Sequence, residues 1–114
     1  MTRHKVVLIP FPFDDLSGVK VRPAVCLTDP LGQFRHVVLA FITSKPTAAA
    51  LPTDLSLQPA DPDFHPTGLR VPSTLQLHRL MTVTTSLIRR ELGVLSPRLQ
   101  QLADDRLKLL LALR

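Results

Sequence analysis

Apolar residues in this chain come in short runs that prolines and turn residues cut apart, and runs of that length predict strands. Val6 to Phe11, Pro23 to Thr28 and Phe34 to Thr43 are rich in Val, Ile, Leu and Phe. Asp14-Asp15-Leu16-Ser17-Gly18 separates the first two, and Asp29-Pro30-Leu31-Gly32 the second and third. The latter turn is compact enough to predict a hairpin. A polar stretch from Ser44 to Pro52 precedes a weaker strand, Asp54 to Leu57. Pro59, Pro62 and Pro66 make Gln58 to Gly68 a loop. Leu69 to Val71 and Thr74 to Thr82 read as strands around Pro72, and Arg89-Arg90-Glu91 leads into a last strand, Leu92 to Leu95.

The C-terminal pattern differs. Ser96 is suited to an N-cap and Pro97 to the first helical position, while Leu99, Leu102, Ala103, Leu107 and Leu110 fall on one helical face. Many short strands and one amphipathic helix predict a mainly β chain with α: a strongly bent sheet or small barrel with a C-terminal helix packed on it. Leu109, Leu111 and Leu113 lie off the main stripe, which fits either a subunit interface or a wider core face.

At 114 residues and 45% hydrophobic content the chain supports one core, so residues 1–114 are read as a single domain. No apolar run approaches the roughly 20 residues of a membrane span. The N-terminus lacks the apolar segment of a signal peptide, and a cytoplasmic location is expected. Cys26 lies among apolar neighbours, as a core residue would. The scattered His4, His36, His65 and His78 show no zinc spacing, and no metal or other cofactor is expected.

Fourteen Lys and Arg against nine Asp and Glu give a formal charge of +5, and ten of the fourteen are Arg. Arginine's planar fork suits phosphate, so a polyanionic partner is one reading, and simple solubility is the other. Polar chemistry gathers at two strand ends. Gly18-Val19-Lys20-Val21-Arg22-Pro23 opens the second strand, and Phe41-Ile42-Thr43-Ser44-Lys45-Pro46 closes the third. In an antiparallel hairpin the start of one strand lies beside the end of the next, which brings Arg22 near Thr43. A guanidinium and a hydroxyl, backed by Ser44 and by Lys20 or Lys45, are suited to bind phosphodiester oxygens. Strand-edge Arg and Thr are common, so these residues alone leave a purely structural role open.

The run Val7-Leu8-Ile9-Pro10-Phe11-Pro12-Phe13-Asp14-Asp15-Leu16-Ser17-Gly18, followed by Arg22-Pro23-Ala24-Val25, resembles the N-terminal signature of the MazF/PemK family of toxin ribonucleases. Ile42-Thr43-Ser44-Lys45, Leu51-Pro52, Ser86-Leu87-Ile88 and Leu92-Gly93-Val94-Leu95-Ser96-Pro97 follow in the family's order. The resemblance implies an SH3-like barrel of the CcdB/PemK type with a C-terminal helix. It also implies a homodimer, and a toxin of a type II toxin-antitoxin system that cuts single-stranded RNA without a metal and inhibits growth.

The family's catalytic pair falls on Arg22 and Thr43. Ser17, Gly18 and Lys20 in the first loop, with Ser44, Lys45 and Arg79, are the expected substrate contacts. The implied reaction is attack of the RNA 2′-hydroxyl on the adjacent phosphorus. A guanidinium is a poor general acid, so Arg22 suits charge stabilisation, and His36 and His78 are the candidates for proton acceptor. An antitoxin with an acidic tail is the implied protein partner. The chain departs from many members in having His4-Lys5 for Gly-Asp and Met81 for Arg. It also lacks the Trp that relatives acting as gyrase poisons carry near the C-terminus. A catalytically silent nucleic-acid-binding barrel is the remaining alternative.

Overall fold

The computed structural model describes residues 2–11, 20–45 and 50–114. Residues 12–19, with Ser17 and Gly18, and residues 46–49 lie outside the described residues. Six strands form one antiparallel sheet: β1 (Lys5–Phe11), β2 (Lys20–Cys26), β3 (His36–Thr43), β4 (Asp54–Leu57), β5 (Ser73–Thr84) and β6 (Arg90–Val94). Their order is β4-β5-β3-β2-β1-β6. The sheet curls as a half-barrel, and α1 (Pro97–Leu111) packs across one face. The mainly β fold with a C-terminal helix is therefore the one expected.

Alternation along the strands sends side chains to two clusters. Val6, Val25, Ala40, Ile42, Leu55, Leu75 and Leu77 meet Leu99 and Ala103 of α1 in the first. Val7, Ile9, Phe11, Ala24, Cys26, Leu39 and Phe41 build the second, with Met81 and Ile88 packed on it. Cys26 is fully buried, and burial pushes its thiol up to about 11, which leaves it protonated and inert at neutral pH.

Helix α1 starts as its sequence dictates. The Ser96 Oγ accepts from the Leu99 amide at 3.2 Å and Pro97 takes the first turn. Arg98 clamps that turn to the preceding loop, its Nε 2.7 Å from Asp63 Oδ2 and its other arm on Asp61. Leu109, Leu111 and Leu113 are more than half exposed, so they do not widen the core face.

Several boundaries differ from the expectation: β2 begins at Lys20 and ends at Cys26, β3 begins at His36, and β5 extends to Thr84. Leu69 to Val71 is not a strand: the Val71 carbonyl accepts from the Ser73 hydroxyl at 2.9 Å, Pro72 has no N–H for a ladder, and Val71 is half exposed. The loop from Gln58 to Gly68 is a chain of tight turns ending in a 3₁₀ turn, His65–Thr67, with Phe64 buried in the first cluster. The last strand runs Arg90–Val94, slightly earlier than its apolar pattern indicates, because Val7 and Leu8 of β1 pair with Glu91 and Arg90.

His4 sits where β1, β2 and α1 meet. Its amide donates to the Cys26 carbonyl at 2.7 Å, its carbonyl accepts from the Leu95 amide, and its backbone is left-handed at φ 73°. Burial first, and then Arg3, hold the imidazole below its ordinary 6.5, against opposing pulls from Asp104 and Asp29. The Nε2 is 3.9 Å from Asp104 Oδ1, beyond hydrogen-bond range. The folded state therefore binds the proton more weakly than the unfolded chain. This contribution to stability is complete above pH 6.5 and declines as the pH falls below it. Thermal melts at pH 7.5 and 5.5 should show a drop for the wild type, and a smaller one for His4→Asn, which tolerates the same backbone and does not titrate.

Candidate RNA-binding site

The β2–β3 ladder pairs Cys26 with Leu39 and Ala24 with Phe41. The ladder ends there, and the same register extended by two residues directs Arg22 toward Thr43. Ala24, Cys26, Leu39 and Phe41 all belong to the second cluster, so alternation carries Arg22 and Thr43 to its rim.

Arg22 and Thr43 line one cavity of about 90 Å³ together with Lys45 and Arg79. Phe11, Phe41 and Ile42 supply its apolar wall. Phe11 and Phe41 meet edge to face, 4.7 Å between ring centres, and the Arg79 guanidinium lies 5.5 Å from the Phe11 centre. Thr43 is half-buried, and its Oγ1 accepts from the Lys45 amide at 3.1 Å. That bond occupies an acceptor position and leaves the O–H to donate. Three cations thus surround one oriented hydroxyl on an aromatic wall. No carboxylate is among the described residues that line the cavity.

Arg79 reaches this place through a bulge. Ala40 pairs with Leu80 and Phe41 with Gln76, so Leu77, His78 and Arg79 of β5 have no counterparts on β3. The three side chains diverge: Leu77 enters the first cluster, His78 approaches Asp54 of β4, and Arg79 turns to Phe11 of β1. A bulge of this kind re-aims side chains that a regular ladder would alternate. Met81 packs against the second cluster and adds no charge.

The other expected residues distribute unevenly. Ser44 lines a neighbouring cavity, and Lys20 stands opposite the lining residue Phe11 in the β1–β2 ladder without lining either cavity itself. The structure separates both candidate proton acceptors from the cavity. His36 begins β3, seven residues from Thr43, or roughly 23 Å at the ~3.3 Å rise of a strand. His78 holds its Nδ1 3.8 Å from Asp54 Oδ1 and is not in the lining. Phe11 and Phe41, whose apolar character marked them chiefly for the core, also line the site. A residue that sequence reasoning did not place there is Gln58, which lines the neighbouring cavity.

The described residues hold no group of three or more His, Cys, Asp or Glu able to bind a metal ion. No helix among them is long and apolar enough to cross a membrane.

The family model of PemK-like, MazF-like toxins of type II toxin-antitoxin systems matches residues 2–111. No curated protein matches the sequence. Among solved structures, the chain is similar to the Mycobacterium tuberculosis toxin MazF-mt6, with a TM-score of 0.73 at 18% identity over 96% of this chain and 98% of that one. It is similar also to an endoribonuclease in complex with its cognate antitoxin from a mycobacterial species, with a TM-score of 0.71 at 17% identity over 100% and 97%. A third likeness is to MazE-MazF from Deinococcus radiodurans, with a TM-score of 0.69 at 16% identity over 100% and 98%. At these identities the likeness is one of fold.

Proposed function

Since this chain belongs to the PemK-like, MazF-like toxin family of type II toxin-antitoxin systems, we propose that it is a ribonuclease that cuts single-stranded RNA without a metal ion. The observation that carries this reading is the cavity itself, which Arg22, Lys45 and Arg79 line together with Thr43. Such a set of donors fits the non-bridging oxygens of a phosphodiester.

In this reading the RNA 2′-hydroxyl gives up its proton to solvent as its oxygen bonds to the adjacent phosphorus, the bond to the 5′-oxygen breaks, and that oxygen takes up a proton from solvent and leaves as a hydroxyl. The products are a cyclic phosphate and a 5′-hydroxyl end. Arg22 clamps two oxygens of the phosphorane, whose negative charge grows as the bond forms, and Thr43 donates to one of them. Lys45 and Arg79 hold the flanking backbone, Arg79 pre-positioned by Phe11. These residues supply charge stabilisation and orientation.

The partner that blocks the site in this reading is an antitoxin with acidic segments, which the +5 charge and the cationic cavity favour. A neighbour solved with its cognate antitoxin supports that class of partner. A homodimer in the cytoplasm is the assembly and location that go with the family.

The test is incubation of the purified protein with long single-stranded RNA in excess EDTA, with the fragment ends mapped. The expected outcome is unimpaired cutting that leaves 5′-hydroxyl ends, and its loss in a folded Thr43→Ala variant. Intact RNA across varied sequences, or cutting that EDTA abolishes, overturns the reading.

A further inference from the structure

A second cavity, of about 210 Å³, opens beside the first and shares Thr43 and Lys45 with it. The rest of its lining is Ser44, Gln58, Pro72, Ser73 and Thr74. Its chemistry is different. One cation replaces three, and hydroxyls, a carboxamide and a proline ring make up the remainder. A second phosphate would call for more positive charge. A flat heterocycle calls for an apolar plate with donors and acceptors along an edge, and Pro72, Gln58 and the hydroxyls provide those.

The polar groups here are held in place. Gln58 Nε2 donates to Ser56 Oγ at 2.7 Å, which fixes the carboxamide and leaves its Oε1 and second N–H for a ligand. The buried Ser73 hydroxyl donates to the Val71 carbonyl, so toward the cavity it offers lone pairs. Thr74 stands opposite Thr43 in the β3–β5 ladder, which ties the floor of this cavity to the hydroxyl of the first. A group bound here is therefore next to a phosphate bound there.

We propose that this cavity takes the base of a nucleotide adjoining the phosphate that is cut, and that Gln58 reads the edge of that base. The inference rests on the ribonuclease reading and adds to it the residue that sets one position of sequence preference. Gln58 is exposed at the end of β4, so its replacement leaves the core intact.

The test compares wild type, Gln58→Leu and Gln58→Glu, each checked for an unchanged melting temperature, on RNA with a randomised single-stranded segment whose fragment ends are sequenced. Wild type should prefer one or two bases at a position flanking the cut. Gln58→Leu should flatten that preference by about ten-fold while leaving other positions unchanged. Gln58→Glu, which can only accept, should shift it away from uracil and toward adenine, cytosine or guanine, whose edges carry an amino group. Identical preferences in all three proteins, or uniform slowing with the pattern unchanged, overturn the proposal while the ribonuclease reading stands. A wild-type protein that leaves every RNA intact overturns both.

Discussion

Arg22→Ala is expected to lower the rate of RNA cleavage about 100- to 1,000-fold, the cost of removing one donor aimed at developing transition-state charge. The melting temperature should change little, because Arg22 lies at the rim of the second cluster, beyond its buried members Ala24 and Cys26. Arg22→Lys should recover little of the loss. A lysine keeps the charge but not the planar fork that grips two oxygens at once. Lys45→Ala should cost much less, since an exposed ammonium acts through solvent and is screened by salt. Single-turnover rates on one RNA substrate, with melts of each variant, separate these effects. Full activity in Arg22→Lys would remove the two-oxygen clamp from the mechanism, and full activity in Arg22→Ala would remove Arg22 from the site.

Gly93→Ala is expected to be the most damaging conservative change for the fold. A Cβ at Gly93 would lie 2.1 Å from the Pro66 carbonyl oxygen and 2.5 Å from the Thr67 carbonyl carbon. Both are backbone atoms, so no side chain can swing aside. Gly68 makes the reciprocal contact: a Cβ there would be 2.0 Å from the Leu92 carbonyl oxygen, on a backbone already left-handed at φ 76°. The 3₁₀ turn and β6 lie against each other with no room for a methyl group. Relief requires the two to part, which also disturbs the Phe64 anchor and the start of α1. A loss above about 3 kcal/mol is expected, out of a total of roughly 5–15 for a domain of this size. It should appear as a fall in Tm of at least about 10 °C. A Tm close to that of wild type would show that the turn can move off β6 at little cost.

Much of the architecture was legible in the pattern of short apolar runs. Proline and Asp-rich turns bound the first three strands, and Ser96-Pro97 followed by a leucine stripe describes the start of α1. The neighbourhood of Arg22 and Thr43 was legible for a topological reason: a hairpin folds the start of β2 against the end of β3, and a two-residue alternation does the rest. Arg79 has no such local signal for its direction. Its aim depends on three unpaired residues in β5, and nothing in Leu77-His78-Arg79 marks a bulge. Leu69 to Val71 misled because its composition suits a strand while its neighbours, a left-handed Gly68 and Pro72, deny it a ladder partner. Gln58 was hidden for a similar reason. Its polarity and the prolines beyond it read as a loop, and only the packing of that segment beside Ser73 and Thr74 forms a cavity.

The two cavities are mounted on parts of the sheet with unequal support. Arg22 and Thr43 lie on β2 and β3, each hydrogen-bonded to strands on both sides, whereas Gln58 follows β4, a four-residue strand at the sheet margin. Marginal strands open at a lower free energy than interior ones. Warming should therefore loosen the discrimination between RNA sequences before it stops the cutting, so the toxin becomes less selective before it becomes inactive.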